Sequence, residues 1–409
     1  MKRIVPAIKS GFEDKALSIL NASDSSLSIR NYLKLIDIAF KFGTARILDW
    51  LINSSQHRIH SKNINWYSKY VGAMSQGQLE IIRLLLSDGR IDPCVDSNNA
   101  IRNASFLGHP EIVKLLLLDK RVDPGAEKNV AIGQASQLGH LDVVKLLLQD
   151  ERVNPSDYYN CAIRSASATG QLNVVKLLLS DKRIDPSDAD NQAIRYASKK
   201  GHFEIVRLLL LDERVDPSDE NNEAIRYASA YGYTEVVKLL LQDKRVDPSA
   251  DDNYAFISAS RRGYSEIIKL LLQNERVDPS VQNNRAIGYV SQGGHLEIVK
   301  LLLTYERVDP SALDNCAIKD TSRNGHTEVV KLLLLDKRVD PSADDNYAIR
   351  FACRNGHLET VRVLLQDERV DPNAAIRYSN YPGILEKIVK LLENAGCKLN
   401  PSITSSTTP

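Results

Sequence analysis

Glycine returns in this chain at a fixed interval of 31 residues: Gly77, Gly108, Gly139, Gly170, Gly201, Gly232, Gly263, Gly294, Gly325 and Gly356. Proline keeps the same step, from Pro93 and Pro124 through Pro155, Pro186, Pro217, Pro248, Pro279, Pro310 and Pro341 to Pro372. A strict period of this length means that one small supersecondary unit is copied along the chain. No single copy can bury its apolar face alone, so the copies must stack. The 409 residues would otherwise suggest two or three globular domains. A repeat array has no such size limit, and the period overrides the length.

One unit, Pro186 to Asp216, shows what is copied. Ile194, Ala197 and Ser198 fall on one face of a short first helix, and the small residues let neighbouring helices approach closely. Gly201 can adopt positive φ and ends that helix. Ile205, Val206, Leu208, Leu209 and Leu210 make a second helix, with Arg207 facing outward and Glu204 in the first turn, where negative charge is favourable. Arg214-Val215-Asp216-Pro217 leaves the helix, because proline lacks an amide donor and restricts the residue before it. Asn191 recurs in the same slot as Asn98, Asn129, Asn160, Asn222, Asn253, Asn284, Asn315 and Asn346, two residues before an alanine. A side-chain acceptor there predicts an N-cap for the first helix. The polar stretch Ser187 to Asp190 is expected to return the chain as an extended loop or tight hairpin. Only 6% of the chain is aromatic while 43% is apolar, so the core is expected to be aliphatic.

The pattern weakens at both ends. Residues 1–66 carry two faint copies, Pro6 to Leu20 around Gly11 and Ile36 to Ile52 around Gly43, with polar stretches at Ser23 to Ser28 and Ser54 to Asn65. Edge units meet water on one side, so divergence there is expected. Residues 67–374 hold ten regular units. In residues 375–400 the register breaks: Ala375-Ile376-Arg377 arrives four residues early and Ile388 to Leu392 three early, which reads as a capping repeat. Residues 401–409, mostly Ser, Thr and Pro, are expected to be a disordered tail.

The stretch Gly294-His295-Leu296-Glu297-Ile298-Val299-Lys300-Leu301-Leu302-Leu303, with near copies at 325–334 and 356–365, resembles the second half of an ankyrin repeat. The period departs from the family's usual 33 residues. The family's Thr-Pro-Leu-His opening is replaced by x-Ala-Ile-Arg, as at Gln192-Ala193-Ile194-Arg195. The 31-residue style resembles the large ankyrin sets of giant DNA viruses and some protists. The resemblance implies an all-α ankyrin-type helical solenoid with short loops or hairpins between helix pairs. It also implies a non-enzymatic scaffold that binds another protein on a concave face, in the cytoplasm of its own or a host cell, and as a monomer.

Composition narrows the function classes. The net charge is +1, from 53 basic and 52 acidic residues, which argues against a dedicated nucleic-acid or polybasic membrane surface. No long apolar run marks a signal peptide or membrane span. Cys94, Cys161, Cys316, Cys353 and Cys397 lack metal-ligand spacing. Cys161 and Cys316 should stand about 40–50 Å apart, beyond disulfide reach, which fits a reducing compartment. His109, His140, His202, His295, His326 and His357 follow turn glycines, one per layer, and Gln171, Tyr233 and Tyr264 fill the same slot. Turn packing is the expectation there, and no metal or cofactor is expected. The arginine series Arg90 to Arg369 could form a phosphate-binding stripe, or bond carboxylates and carbonyls of a neighbouring unit. The second is expected, since Asp lies two residues away in nearly every copy. No Gly-rich phosphate loop or nucleophile arrangement is present.

The variable slots after Ile194 hold Tyr196, Lys199 and Lys200. Equivalent slots hold Tyr227, Ala230 and Tyr231, then Ser258, Arg261 and Arg262. These positions point away from the Ile–Ala–Ser face, and Tyr and Arg favour binding hot spots. Tyr196, Lys199, Lys200, Tyr227, Tyr231, Arg261 and Arg262 are therefore the candidate partner-binding residues, with neutral surface variation as the alternative. Delivery of a captured protein to a ubiquitin ligase is an alternative role, which would need a docking segment in residues 1–66. A nucleic-acid-binding array is another.

Overall fold

A computed structural model describes residues 1–22, 27–53, 64–377, 387 and 389–393. The described residues include 25 helices and no strand. The polar stretch Ser23 to Ser28 lies partly, and Ser54 to Asn65 mostly, outside them; so do most of the capping repeat and all of residues 401–409. The chain divides into two compact units, Met1–Ala193 and Ile194–Pro409.

The first unit opens with Ile4–Lys9 and Glu13–Ala22, then Ile29–Phe42 and Ala45–Asn53. Each pair folds about a glycine, Gly11 at φ 75° and Gly43 at φ 70°. Regular pairs follow, such as Ala126–Leu138 with Leu141–Leu148. The second unit repeats the arrangement, as in Asp219–Tyr231 with Thr234–Leu240 and Ala250–Arg262 with Ser265–Leu271. The predicted faces are the buried ones: Ile225, Ala228 and Ser229 of a first helix, and Val236, Val237 and Leu240 of the second, are at most 1% exposed. The core is aliphatic as expected, with Phe256 and Tyr32 as large aromatic exceptions.

The turn glycine serves two purposes at once. Gly232 adopts φ 83°, where a side chain is strained. A Cβ there would also stand 2.8 Å from the ring of Tyr264 in the next repeat. At Gly108 the same space is taken by His140, 2.5 Å from a would-be Cβ. The residue after each turn glycine thus packs on the preceding repeat's glycine, and His, Tyr or Gln can do it. His140 also places Nε2 3.0 Å from the carbonyl of Phe106.

Two expectations fail at the start of the first helix. The segment before it is neither extended nor a hairpin. Three consecutive residues take left-handed helical angles, as in Glu220 (φ 49°, ψ 48°), Asn221 (φ 55°, ψ 48°) and Asn222 (φ 60°, ψ 38°). The turn closes through the Asn222 N–H, which donates to the Ser218 carbonyl at 2.8 Å. The motif recurs in nine repeats, including Ala189, Asp190 and Asn191. Each non-glycine residue in this region costs roughly 1–2 kcal/mol, so something must hold it.

The asparagine is part of what holds it, and it is not an N-cap. Asn222 Oδ1 accepts the backbone N–H of Asp247 in the next repeat at 2.7 Å. The same bond joins Asn129 to Asn154, Asn253 to Asp278 and Asn315 to Asp340. Asn129 and Asn160 also donate from Nδ2 to Asp157 and Asp188, at 3.0 and 2.9 Å. Asn191 occupies the same left-handed, buried position. Asparagine suits the slot because it tolerates left-handed angles better than most residues and carries both a donor and an acceptor.

The arginine of x-Ala-Ile-Arg supplies the rest. Arg164 donates to the carbonyls of Tyr159 and Tyr158, at 2.6 and 2.9 Å, which the left-handed turn leaves exposed. Its remaining arm reaches Gln192 of the next repeat. Arg102 holds the carbonyls of Ser97 and Asp96 in the same way.

The loop arginines bond a carbonyl of the neighbouring repeat as expected, but their carboxylate comes from their own repeat. Arg245 makes paired bonds of 3.0 and 2.7 Å to Asp243, the carboxylate before it in sequence rather than Asp247 after it, and donates to the Val215 carbonyl at 2.9 Å. Arg152 and Arg183 do the same with Asp150 and Asp181, and reach Val122 and Val153. Their hydrogen bonds hold the carboxyls of Asp150, Asp181 and Asp243 below the usual range. Where the acid is replaced, by Asn274 or Tyr305, Arg276 and Arg307 stand 3.6 and 3.8 Å from Asp247 and Asp278, and Arg276 keeps a 3.4 Å bond to the Val246 carbonyl.

Candidate protein-binding surface

The face of each first helix opposite the Ile–Ala–Ser row carries the candidate residues, all within the second unit. Tyr196, Lys200, Tyr231, Arg261 and Arg262 are exposed, while Lys199 and Tyr227 are half-buried. Ala230 differs from its expected outward position: it is 6% exposed and belongs to the core. The structure brings most of this set into one row across successive repeats. Lys199 Nζ lies 4.3 Å from the ring centroid of Tyr227. Tyr227 stacks on Tyr231 at 6.2 Å, and the Arg262 guanidinium lies 5.9 Å from the Tyr231 ring.

The contacts follow a rule the sequence reading missed. A cation in one repeat meets a ring 28 residues later: Lys199 with Tyr227, Arg261 with Tyr289 and Arg323 with Phe351. A parallel series joins Arg226 to Tyr254 and Lys319 to Tyr347. Cation–π contacts at such sites are worth about 0.5–1 kcal/mol each. The signal that could have found Tyr254, Tyr289, Phe351 and Tyr347 is that spacing, three less than the period. These pairs fix the side chains of the surface and tie neighbouring repeats together. In the first unit the slots equivalent to Lys199 and Lys200 hold no cation: they carry Ser75 and Gln76, Phe106 and Leu107, Gln137 and Leu138, and Ala168 and Thr169.

Chemistry of other kinds finds little support. Among the described residues no three His, Cys, Asp or Glu side chains stand together as a metal site would need. Cys94, Cys161, Cys316 and Cys353 are free thiols. Burial pushes the Cys353 thiol up to about 12, so it is not a poised nucleophile. No helix among the described residues is long and apolar enough to cross a membrane.

The family model for ankyrin repeats in sets of three matches residues 185–252, 225–314, 256–345, 288–376 and 317–402, together more than half of the chain. The chain belongs to the ankyrin repeat family. No curated protein matches it. Ankyrin repeats are generally protein-interaction modules and are typically non-enzymatic. In this ankyrin chain the segment before the first helix is a left-handed turn, held by asparagine and arginine.

Proposed function

We propose that this ankyrin array captures a partner protein on the outward face of its first helices, in the second unit, through Tyr196, Lys199, Lys200, Tyr227, Tyr231, Arg261 and Arg262. The observation that carries this reading is the row Lys199–Tyr227–Tyr231–Arg262, whose side chains are held in place before any partner arrives. Rigid tyrosines offer contact area at low entropic cost, and pre-organised cations add directional hydrogen bonds. The second helices offer less: several of their exposed cations pair locally, as Arg207 does with Glu204 at 2.6 Å and Lys300 with Glu297 at 2.8 Å. The protein acts in a reducing compartment, where its thiols stay free.

The test is a pulldown with a variant carrying Tyr227→Ala, Tyr231→Ala, Arg261→Glu and Arg262→Glu. It should keep its melting temperature approximately and lose the principal partner. Charge reversal at Lys269 and Lys300 should leave the partner bound. Survival of the partner with the first variant and its loss with the second would move recognition to the second helices and end this reading.

A further inference from the structure

Within this surface, a groove between two neighbouring repeats is walled by Ala230, Tyr254, Ser258, Arg261 and Arg262 and offers about 330 Å³. Its arginines differ from those of the x-Ala-Ile-Arg slot; Arg323 and Arg354, in the slot of Arg261, likewise have no carboxylate partner among the described residues, but an asparagine rather than a second arginine follows each. Arg195 pairs with Glu223, Arg226 with Asp251 and Arg350 with Asp345. Arg261 and Arg262 are exposed, and among the described residues no carboxylate pairs with them. Each stands instead 5.9 Å from a tyrosine ring, Tyr289 and Tyr231 respectively.

Asp251, an acid of the groove's own repeat, is already held by Arg226. The helix C-terminus favours a cation in its last turn. That does not explain two guanidinium groups sharing a recess with the hydroxyls of Ser258 and Tyr254. Each guanidinium presents five N–H donors in a fork. A single carboxylate, with two oxygens and one charge, cannot satisfy two forks and two hydroxyls. A phosphate monoester, with three oxygens and nearly two charges at neutral pH, can. An extended polyanion is disfavoured, because the left-handed turns beside the groove carry Glu220, Asp251 and Asp252, all exposed.

We infer that this groove receives a phosphorylated serine or threonine side chain of the partner protein, an inference that rests on the binding face proposed above. The full chain should be titrated by fluorescence anisotropy with three degenerate peptide libraries, centred on phosphoserine, serine or aspartate. The phosphoserine library should bind at least about tenfold tighter than either other library, a difference of about 1.4 kcal/mol. Arg261→Gln with Arg262→Gln should abolish that preference while lowering the melting temperature by no more than a few degrees, the cost of two cation–π contacts; Ser258→Ala should reduce it, and Lys269→Gln with Lys300→Gln should preserve it. Equal affinity for all three libraries, or for the aspartate and phosphoserine libraries, overturns the inference. So does preferential binding of a single-stranded RNA probe. Phosphatase treatment of the lysate separates this inference from the reading beneath it. A partner captured equally well after dephosphorylation, yet lost with the arginine variant, removes the phosphate and leaves the binding face. A partner kept by the arginine variant and lost only with the second-helix variant removes both.

Discussion

Asn222 Oδ1 accepts the backbone N–H of Asp247, 25 residues further along the chain, at 2.7 Å. One asparagine thereby closes a left-handed turn in its own repeat and bonds the loop of the next. The bond is partly buried, with Asn222 8% exposed, so water is a poor substitute for it.

Asn222→Ala should therefore destabilise the protein by about 1–3 kcal/mol, by leaving a buried N–H unpaired. Asn222→Gly should still cost about 1 kcal/mol, because the bond to the next repeat is lost although glycine accepts the left-handed angles. An N-cap would respond differently, since glycine replaces a capping residue at a cost of only a few tenths of a kcal/mol. Glu220→Gly, at φ 49° with its side chain in water, should gain up to about 1 kcal/mol by relieving the left-handed strain. Urea denaturation of the three variants checks this. A mild Asn222→Gly beside a severe Asn222→Ala would return the asparagine to a purely local role.

The buried serine of the first helix gives a second expectation. Ser229 and Ser260 are fully buried, and their hydroxyls have no hydrogen-bond partner among the described residues. In one repeat the slot holds Cys353, also fully buried. The slot therefore asks for a small side chain rather than a hydroxyl. Ser229→Ala and Ser260→Ala should each raise stability by about 1 kcal/mol, since an unpaired buried hydroxyl costs about 1–3 kcal/mol and alanine also favours helix. A lower urea midpoint in both variants would mean that the hydroxyls are bonded after all.

The fold was legible because its signals are local and repeated. The 31-residue step, the Ile194–Ala197–Ser198 face and the turn glycines each follow from one physical requirement, and all appear in the structure. The left-handed turn was not legible. Positions such as Glu127-Lys128-Asn129 and Tyr158-Tyr159-Asn160 share only the final asparagine, and that residue suits an N-cap equally well. What distinguishes the two is a bond to the next repeat, which no window of one repeat contains. The proposed binding face was half legible for the same reason. Tyr227 and Lys199 could be placed on the outward side of their own helices, but their contact depends on the offset between repeats.

The loop arginines set an acid limit on stability. Bonds from Arg245 hold the Asp243 carboxyl below its ordinary value, and bonds from the matching arginines do the same for Asp119, Asp150, Asp181, Asp212, Asp336 and Asp367. A carboxyl whose pKa is lower when folded stabilises the protein at pH above its unfolded value. That contribution is lost as pH falls through the folded value. Stability should hold near neutrality, begin to fall below about pH 5 and drop steeply below about pH 4, near the unfolded aspartate value. Asn274→Asp should restore the missing partner of Arg276 and add about 0.5–1 kcal/mol at pH 7, with the gain gone by about pH 3. Thermal melts across this range check both. A gain from Asn274→Asp that persists unchanged at pH 3 would rule out an ionised pair as its source.

At the binding face, the energy should lie in the rings more than in the charges. Lys199 sits 4.3 Å from the Tyr227 ring and Arg262 5.9 Å from that of Tyr231, so part of their field is already spent within the chain. Screening by salt should therefore cost the partner little, whereas loss of a ring removes contact area and frees the cation above it. Tyr227→Ala with Tyr231→Ala should weaken binding by about 2 kcal/mol or more. Lys199→Gln with Lys200→Gln should cost less than about 1 kcal/mol, as rim charges usually do. Raising salt from about 0.1 to 0.5 M should weaken binding less than about tenfold, whereas a nucleic acid held by several phosphates would lose several orders of magnitude. Calorimetric titration of the captured partner at two salt concentrations measures all three quantities. If the lysine variant proves the more damaging and the salt dependence is steep, the cations carry recognition, the tyrosines only pack between repeats, and a polyanion becomes the better candidate for this surface.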